Sequence, residues 1–223
     1  MKKNVLITGT SRGIGLALAQ WFVNNGYQVI GTSRQTNGQV WQHPHFRLLP
    51  LDLADEQSIN SLAAQLQAEG IAIDLLINNA GVGPDLGADL PDAASFDETF
   101  ATNVRGTVLL TEALLAQLNK GARIINVSSK MGSIGLCVLT DSVAYRMSKA
   151  ALNMYTRILA NRLAGKHHVA TVHPGWVRTT IGSNNNQGRL SPQESAAGIA
   201  AFALSDFKQG MFWDVETGQA LEW

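Results

Sequence analysis

Val5-Leu6-Ile7-Thr8-Gly9-Thr10-Ser11-Arg12-Gly13-Ile14-Gly15 is a short apolar run that breaks into glycines and passes at once into residues of helical period. A strand ending in glycines at a helix N-terminus turns backbone N–H groups and the positive end of the helix dipole toward an anion, and a pyrophosphate suits it. In that reading Gly9 permits the tight turn, Gly13 the close approach of a phosphate, and Gly15 the packing of helix on strand. A purely structural glycine turn has the same local sequence, so the rest of the chain must decide between them.

Outward from this stretch, apolar runs of strand length alternate with longer segments of helical period. Strands are expected at about 3–8, 28–32, 46–50, 73–77, 122–126, 169–173 and 210–213, and helices at about 14–25, 56–69, 96–119, 142–164 and 192–204. Leu75-Leu76-Ile77 and Ile124-Ile125 are apolar without alternation, as strands covered by helices on both faces must be. Gly26 and Gly70 follow the first two helices, and Ser191-Pro192 opens the last as N-cap and first helical residue. Gly83–Ala94 and Gly182–Arg189 are expected to be loops. The pattern is a repeated βαβ unit. It predicts a doubly wound, Rossmann-type parallel α/β sheet of about seven strands, with helices on both faces and one domain spanning residues 1–223.

Composition narrows the function. Lys plus Arg and Asp plus Glu each number 17, so no overall field draws the chain to nucleic acid or to an anionic membrane. The chain is 45% hydrophobic and 15% charged, enough to build a core. The opening apolar stretch is too short for a signal peptide, and no run approaches a membrane span, so a cytoplasmic protein is expected. The single Cys137 fits a reducing compartment and is read as a small apolar side chain near a pocket. The five histidines show no ligand spacing with acids or cysteine, so no metal site is expected.

The second strand ends Val29-Ile30-Gly31-Thr32-Ser33-Arg34, without the carboxylate that would accept from the adenosine ribose of NAD. Arg34 there and Arg12 in the glycine loop suit a 2′-phosphate, which points to NADP(H); two solvated surface charges are the plainer alternative. Tyr145 and Lys149 stand four apart in a helical segment, so an ammonium shares a face with a phenol. Carbonyl reduction needs a proton at oxygen, and a cation nearby would stabilise the phenolate left behind. The spacing alone arises by chance in roughly one chain in ten, so it needs support. Ser128-Ser129 gives it, lying at the carboxyl end of a strand where parallel sheets bind ligands and where a hydroxyl can bond a developing oxyanion.

Thr8-Gly9-x-x-x-Gly13-x-Gly15, Asn78-Asn79-Ala80-Gly81, Thr102-Asn103, Ser129, Tyr145-x-x-x-Lys149 and His173-Pro174-Gly175-Trp176-Val177-Arg178-Thr179 follow in order over residues 4 to about 180. Together they resemble the short-chain dehydrogenase/reductase family, and the ending Leu221-Glu222-Trp223 resembles its small carbonyl-reductase branch, with the sniffer and C-factor proteins. The resemblance implies Ser129, Tyr145, Lys149 and Asn103 as the catalytic group. It implies that Gly9, Ser11, Arg12, Gly13, Ile14 and Gly15 bind the cofactor together with Arg34, Asp52 and Leu53. Asn79, Ala80 and Gly81 belong to the same implied set, as do Pro174, Gly175, Val177 and Thr179, with Tyr145 and Lys149 shared between cofactor and chemistry. It also implies a homodimer or higher homo-oligomer.

Ser129 and Tyr145 are 16 apart, about three more than in many members, with the extra residues in Gly135–Asp141; Ser133 is a conceivable substitute. Asp52 equally suits a cap for the helix near Glu56. The mid-helix Asn103 is expected to interrupt backbone bonding and hold a water that serves Lys149. A pocket of Val82, Met131, Ile134, Leu136, Val138 and Trp176 is expected to receive a small aldehyde or ketone. Two alternatives remain open at this point. One is an NADP(H)-binding regulatory protein with little turnover; the other is a lyase or epimerase that retains its nucleotide.

Overall fold

In the computed structural model, which describes residues 2–36, 41–181 and 187–223, the strands form a single sheet. They are β1 (Asn4–Ile7), β2 (Gln28–Ser33), β3 (Phe46–Pro50), β4 (Ile73–Asn78), β5 (Leu118–Val127), β6 (His168–His173), β7 (Phe212–Asp214) and β8 (Gln219–Ala220). Their order is β3-β2-β1-β4-β5-β6-β7-β8, parallel throughout except for the antiparallel pairing of β7 with β8. The order reverses between β1 and β4, and ligands of open parallel sheets bind in the crevice at such a switch point.

The helices are α1 (Gly13–Asn24), α2 (Glu56–Ala68), α3 (Ala93–Phe100), α4 (Thr107–Leu114), α5 (Val143–Arg162) and α6 (Pro192–Leu204). Strand residues alternate between two apolar cores. Val5, Ile7, Ile77 and Val127 meet α1 and α6, while Leu6, Leu76, Ile124 and Val169 meet α2, α4 and α5. Both faces of the sheet are therefore covered, which is why its strands carry unbroken apolar runs. Gly26 and Gly70 adopt the left-handed backbone expected after α1 and α2, and Ser191 and Glu194 form a full capping box at α6.

Three expectations change. The helix expected at 96–119 is broken: α3 begins at Ala93, a π-helical segment (Ala101–Gly106) joins it to α4, and helix gives way to a 3-10 turn at Leu115–Gln117. β5 then starts at Leu118, four residues earlier than expected, because Leu118 pairs with Ile73 ahead of a register shift. The polar Asn119-Lys120-Gly121 that follows had hidden this strand start. β8 has two exposed residues and no apolar signal, so seven expected strands become eight. Residues 182–186 of the expected loop Gly182–Arg189 lie outside the described residues.

Candidate active site

A cleft of about 1600 Å³ runs along the carboxyl ends of β1, β2, β4, β5 and β6. At one end lies the glycine turn, where Gly9 and Gly13 have φ of 73° and 57°, backbone that side chains resist. A Cβ on Gly15 would stand 2.1 Å from the Gly9 carbonyl oxygen, so only glycine lets α1 begin here. The close approach is thus of helix to turn rather than of helix to strand. No side chain caps α1, whereas Asp55, Asp92 and Ser191 cap α2, α3 and α6. The first-turn N–H groups of α1 are left facing the cleft without a side-chain competitor. The Thr8 hydroxyl accepts from the backbone N–H of Asn79 and of Ala80, both at 2.9 Å, which ties the loop after β4 to the turn.

Ser11, Arg12, Ile14, Arg34, Asp52 and Leu53 line this end of the cleft. Arg12 and Arg34 are exposed, and among the described residues neither forms an ion pair. Asp52 is not the cap of α2: that cap is Asp55, which accepts from Gln57 N at 2.9 Å, while Asp52 accepts from Ala54 N within its own turn. Asn79, Ala80 and Gly81 line the middle, with Pro174, Gly175, Val177 and Thr179 opposite.

At the other end Ser129, Tyr145 and Lys149 face the same cleft. Lys149 is 3% exposed, and its ammonium lies 5.5 Å from the centre of the Tyr145 ring and donates to the Val127 carbonyl at 3.1 Å. Burial pulls the Lys149 pKa down to about 8. Burial also pushes the Tyr145 phenol up to about 12; the nearby Ser129 hydroxyl pulls the other way, and the charge of Asp85 adds to the rise. Desolvation of the buried phenol is the largest cause, so Tyr145 is held protonated.

Ser128 instead donates to the Lys149 carbonyl, and Ser133 accepts from Leu136 N away from the cleft, so Ser129 alone of the three meets the phenol. The longer loop bulges outward from Ile134 to Thr140 without disturbing that meeting. Asn103 does not line the cleft. Its carbonyl oxygen accepts from Val82 N at 2.8 Å, and its amide donates to the Val82 carbonyl at 2.8 Å and to Ser148 at 3.1 Å. The π-helical segment confirms the interrupted backbone. The side chain clamps both polar groups of Val82.

The chain matches the family model for short chain dehydrogenase over residues 3–190. The chain belongs to that family. It is 34% identical, over 81% of its length, to a 3-amino-tetrahydro-pyrrolizinone reductase of Xenorhabdus hominickii, and spans 63% of that relative. Its fold matches an NADPH-bound carbonyl reductase from chicken fatty liver with a TM-score of 0.88 and 31% identity, covering 100% of this chain and 94% of the other. It matches the carbonyl reductase Sniffer of D. melanogaster with a TM-score of 0.87 and 27% identity, covering both chains fully.

As a short-chain dehydrogenase/reductase the protein is an oxidoreductase, and its cleft carries features not visible in the family motifs. Asp85, in the stretch read only as loop, is 2% exposed and accepts from Ala144 N at 2.7 Å and from Tyr145 N at 3.2 Å. In sequence an Asp after Pro84 reads as a turn residue, so nothing there marked it. Asn78 donates to Asn126 across β4 and β5 at 2.7 Å and to Thr111 of α4 at 2.9 Å, a buried polar tie below the site. The apolar wall includes Val82, Met131, Leu136, Val138 and Trp176 as expected, gains Leu86 and Leu139, and loses Ile134, which is 78% exposed. Cys137 is exposed on the loop rather than packed near the pocket. His173 lines the cleft, and burial drives its pKa down to about 4, leaving a neutral ring.

Proposed function

We propose that this protein is an NADP(H)-dependent carbonyl reductase that reduces a small aldehyde or ketone, or oxidises the alcohol. The observation that carries the reading is Ser129, Tyr145 and Lys149 facing one cleft, the Lys149 ammonium 5.5 Å from the centre of the Tyr145 ring, with the uncapped end of α1 facing the same cleft. The residues fit a dinucleotide: a Cβ at Gly15 would fill the turn, and Arg12 and Arg34 stand without carboxylate partners among the described residues. NADPH-bound and NADP-bound relatives of 31% and 30% identity support the same cofactor.

When bound, the nicotinamide supplies hydride to the carbonyl carbon. Ser129 donates a hydrogen bond to the carbonyl oxygen as charge grows there, and Tyr145 gives that oxygen its proton. A phenol kept protonated by burial is a donor at every physiological pH. Lys149 places a positive charge under the phenolate left behind, and Asn103 fixes the Gly81–Val82 backbone beside them. Pro174, Gly175, Val177 and Thr179 would hold the nicotinamide end of a bound cofactor, and the glycine turn with Arg12, Arg34, Asp52 and Leu53 would hold the adenosine end. The apolar wall and wide mouth suit varied small carbonyl compounds.

NADPH oxidation across a panel of aldehydes, diketones and quinones tests the reading. Activity is expected with some of them, and Tyr145→Phe is expected to lose it by about 100-fold or more; an undiminished Phe variant overturns the role of Tyr145. Arg34→Ala is expected to weaken NADPH binding by about tenfold or more and NADH binding little; equal losses would remove the 2′-phosphate reading.

A homodimer fits Met147, Met154 and Ile158, exposed at helical spacing on one face of α5. The unbroken eight-stranded sheet supports one domain across residues 1–223, and a free exposed Cys137 suits a cytoplasmic setting. Among the described residues no helix is long and apolar enough to cross a membrane.

A further inference from the structure

We propose that Asp85 is a positioning residue for Tyr145, its buried carboxylate gripping the first turn of α5 and setting a fixed negative charge at the backbone of the residue that bears the phenol. The inference rests on the reading of Tyr145 as proton donor.

Three observations converge. The helix that carries Tyr145 is not capped from within, for Ser142 at its N-cap has left-handed backbone (φ 58°) and no capping bond. Its hydroxyl serves elsewhere, accepting from Gly87 N at 2.9 Å and donating to Asp141 at 3.1 Å. Asp85 reaches in from the loop after β4, and its two oxygens take the N–H groups of Ala144 and Tyr145. The same loop then wraps the phenol: a Cβ on Gly83 would stand 3.0 Å from the Tyr145 ring, and Leu86 packs into that space.

The choice of a carboxylate needs a reason. A buried charge is costly, and Ser, Thr or Asn would cap a helix without that cost. Asp85 forms no ion pair among the described residues, so backbone N–H groups and the helix dipole alone hold it. What a carboxylate adds over a neutral cap is its field at the phenol. The charged and polar groups packed around Tyr145 are Asp85 from the loop, Ser129 at the end of β5, Lys149 and Arg146 on α5, and Asp141, which Arg146 binds at 2.6 Å. Of these, Asp85 is the charge that raises the phenol further, in the same direction as burial. A negative charge disfavours the phenolate, so it keeps Tyr145 protonated and aimed.

Asp85→Asn separates the two parts, since an amide oxygen still caps the helix but carries no charge. For carbonyl reduction by NADPH, the alkaline fall of kcat/KM that follows the phenol, above the one that Lys149 sets near pH 8, is expected to move to lower pH by about half a unit or more in the Asn variant. The alkaline rise of the reverse alcohol oxidation is expected to move the same way. Asp85→Ser, which also keeps an oxygen acceptor, should shift alike and serves if the Asn protein does not fold. Asp85→Ala, lacking the cap as well, should lose kcat beyond either. Asn or Ser protein with wild-type activity and unmoved limbs reduces Asp85 to a helix cap and overturns the proposal. Tyr145→Phe is run beside them: an inactive Phe variant with unmoved Asp85 limbs sinks this inference alone, whereas an active one sinks the proton-donor reading beneath it.

Discussion

Lys149 illustrates how one residue trades stability for chemistry. Its ammonium is 3% exposed and its pKa falls from 10.5 to about 8 through desolvation. The unfolded chain therefore binds more protons than the folded one between about pH 8 and 10.5, so this group's penalty is full below pH 8 and is relieved as pH climbs through that window. The displacement corresponds to roughly 3 kcal/mol. Lys149→Met is expected to abolish turnover yet raise the unfolding free energy at pH 7 by about 1–3 kcal/mol, with the gain shrinking toward pH 10.5. Denaturant titrations at both pH values check it, and a Met variant less stable than wild type at pH 7 would refute it. The four-residue spacing of Tyr145 and Lys149 was legible, because a helix puts those positions on one face. The direction of their pKa shifts was not, since burial is decided by what packs on top.

At the scale of elements, the π-helical segment Ala101–Gly106 places Asn103 where a regular helix would not. Its amide is the clamp on both polar groups of Val82. Asn103→Leu leaves the Val82 N–H and carbonyl without that partner and is expected to cost about 2–3 kcal/mol of stability, together with a loss of kcat. Thermal unfolding and steady-state kinetics read the two effects, and an Asn103→Leu protein with unchanged Tm would show that the clamp is dispensable. At the start of α1, Gly15→Ala puts a Cβ against the Gly9 carbonyl and the Asn79 amide. It is expected to lower NADPH affinity by about tenfold or more by shifting the turn, as fluorescence titration would register; unchanged affinity would mean that α1 can retreat freely. The glycine turn was readable because glycine is chosen for its missing atom. The π segment was not, since it follows from how α3 and α4 must pack on β4 and α5.

At the scale of the whole molecule, the last residues meet the middle of the chain. The Trp223 carbonyl accepts from Gly135 N at 3.1 Å, and its ring lies 5.3 Å from that of Phe212 on β7. The apolar loop that carries Leu136, Val138 and Leu139 is thus hung from the far edge of the sheet. Trp223→Ala is expected to raise KM for carbonyl substrates several-fold with little change in NADPH affinity, because the tie lies at the substrate end alone. Equal effects on both would mean that the tail supports the sheet in general. By itself the sequence determined the order of the first seven strands and the crossover segments between them, the glycine turn, and most of the residue types that line the cleft. Each of these is written in a local period or a fixed spacing: apolar runs for strands buried on both faces, missing side chains for turns, and a four-residue step for one helix face. Only the tertiary structure decided that Asp85 caps α5 from a distant loop, that Asn103 serves Val82, that Ile134 faces water while Leu86 enters the pocket, and that Trp223 holds the loop. Those are contacts between segments far apart in the chain, fixed by how packed surfaces meet in space rather than by any pattern along it.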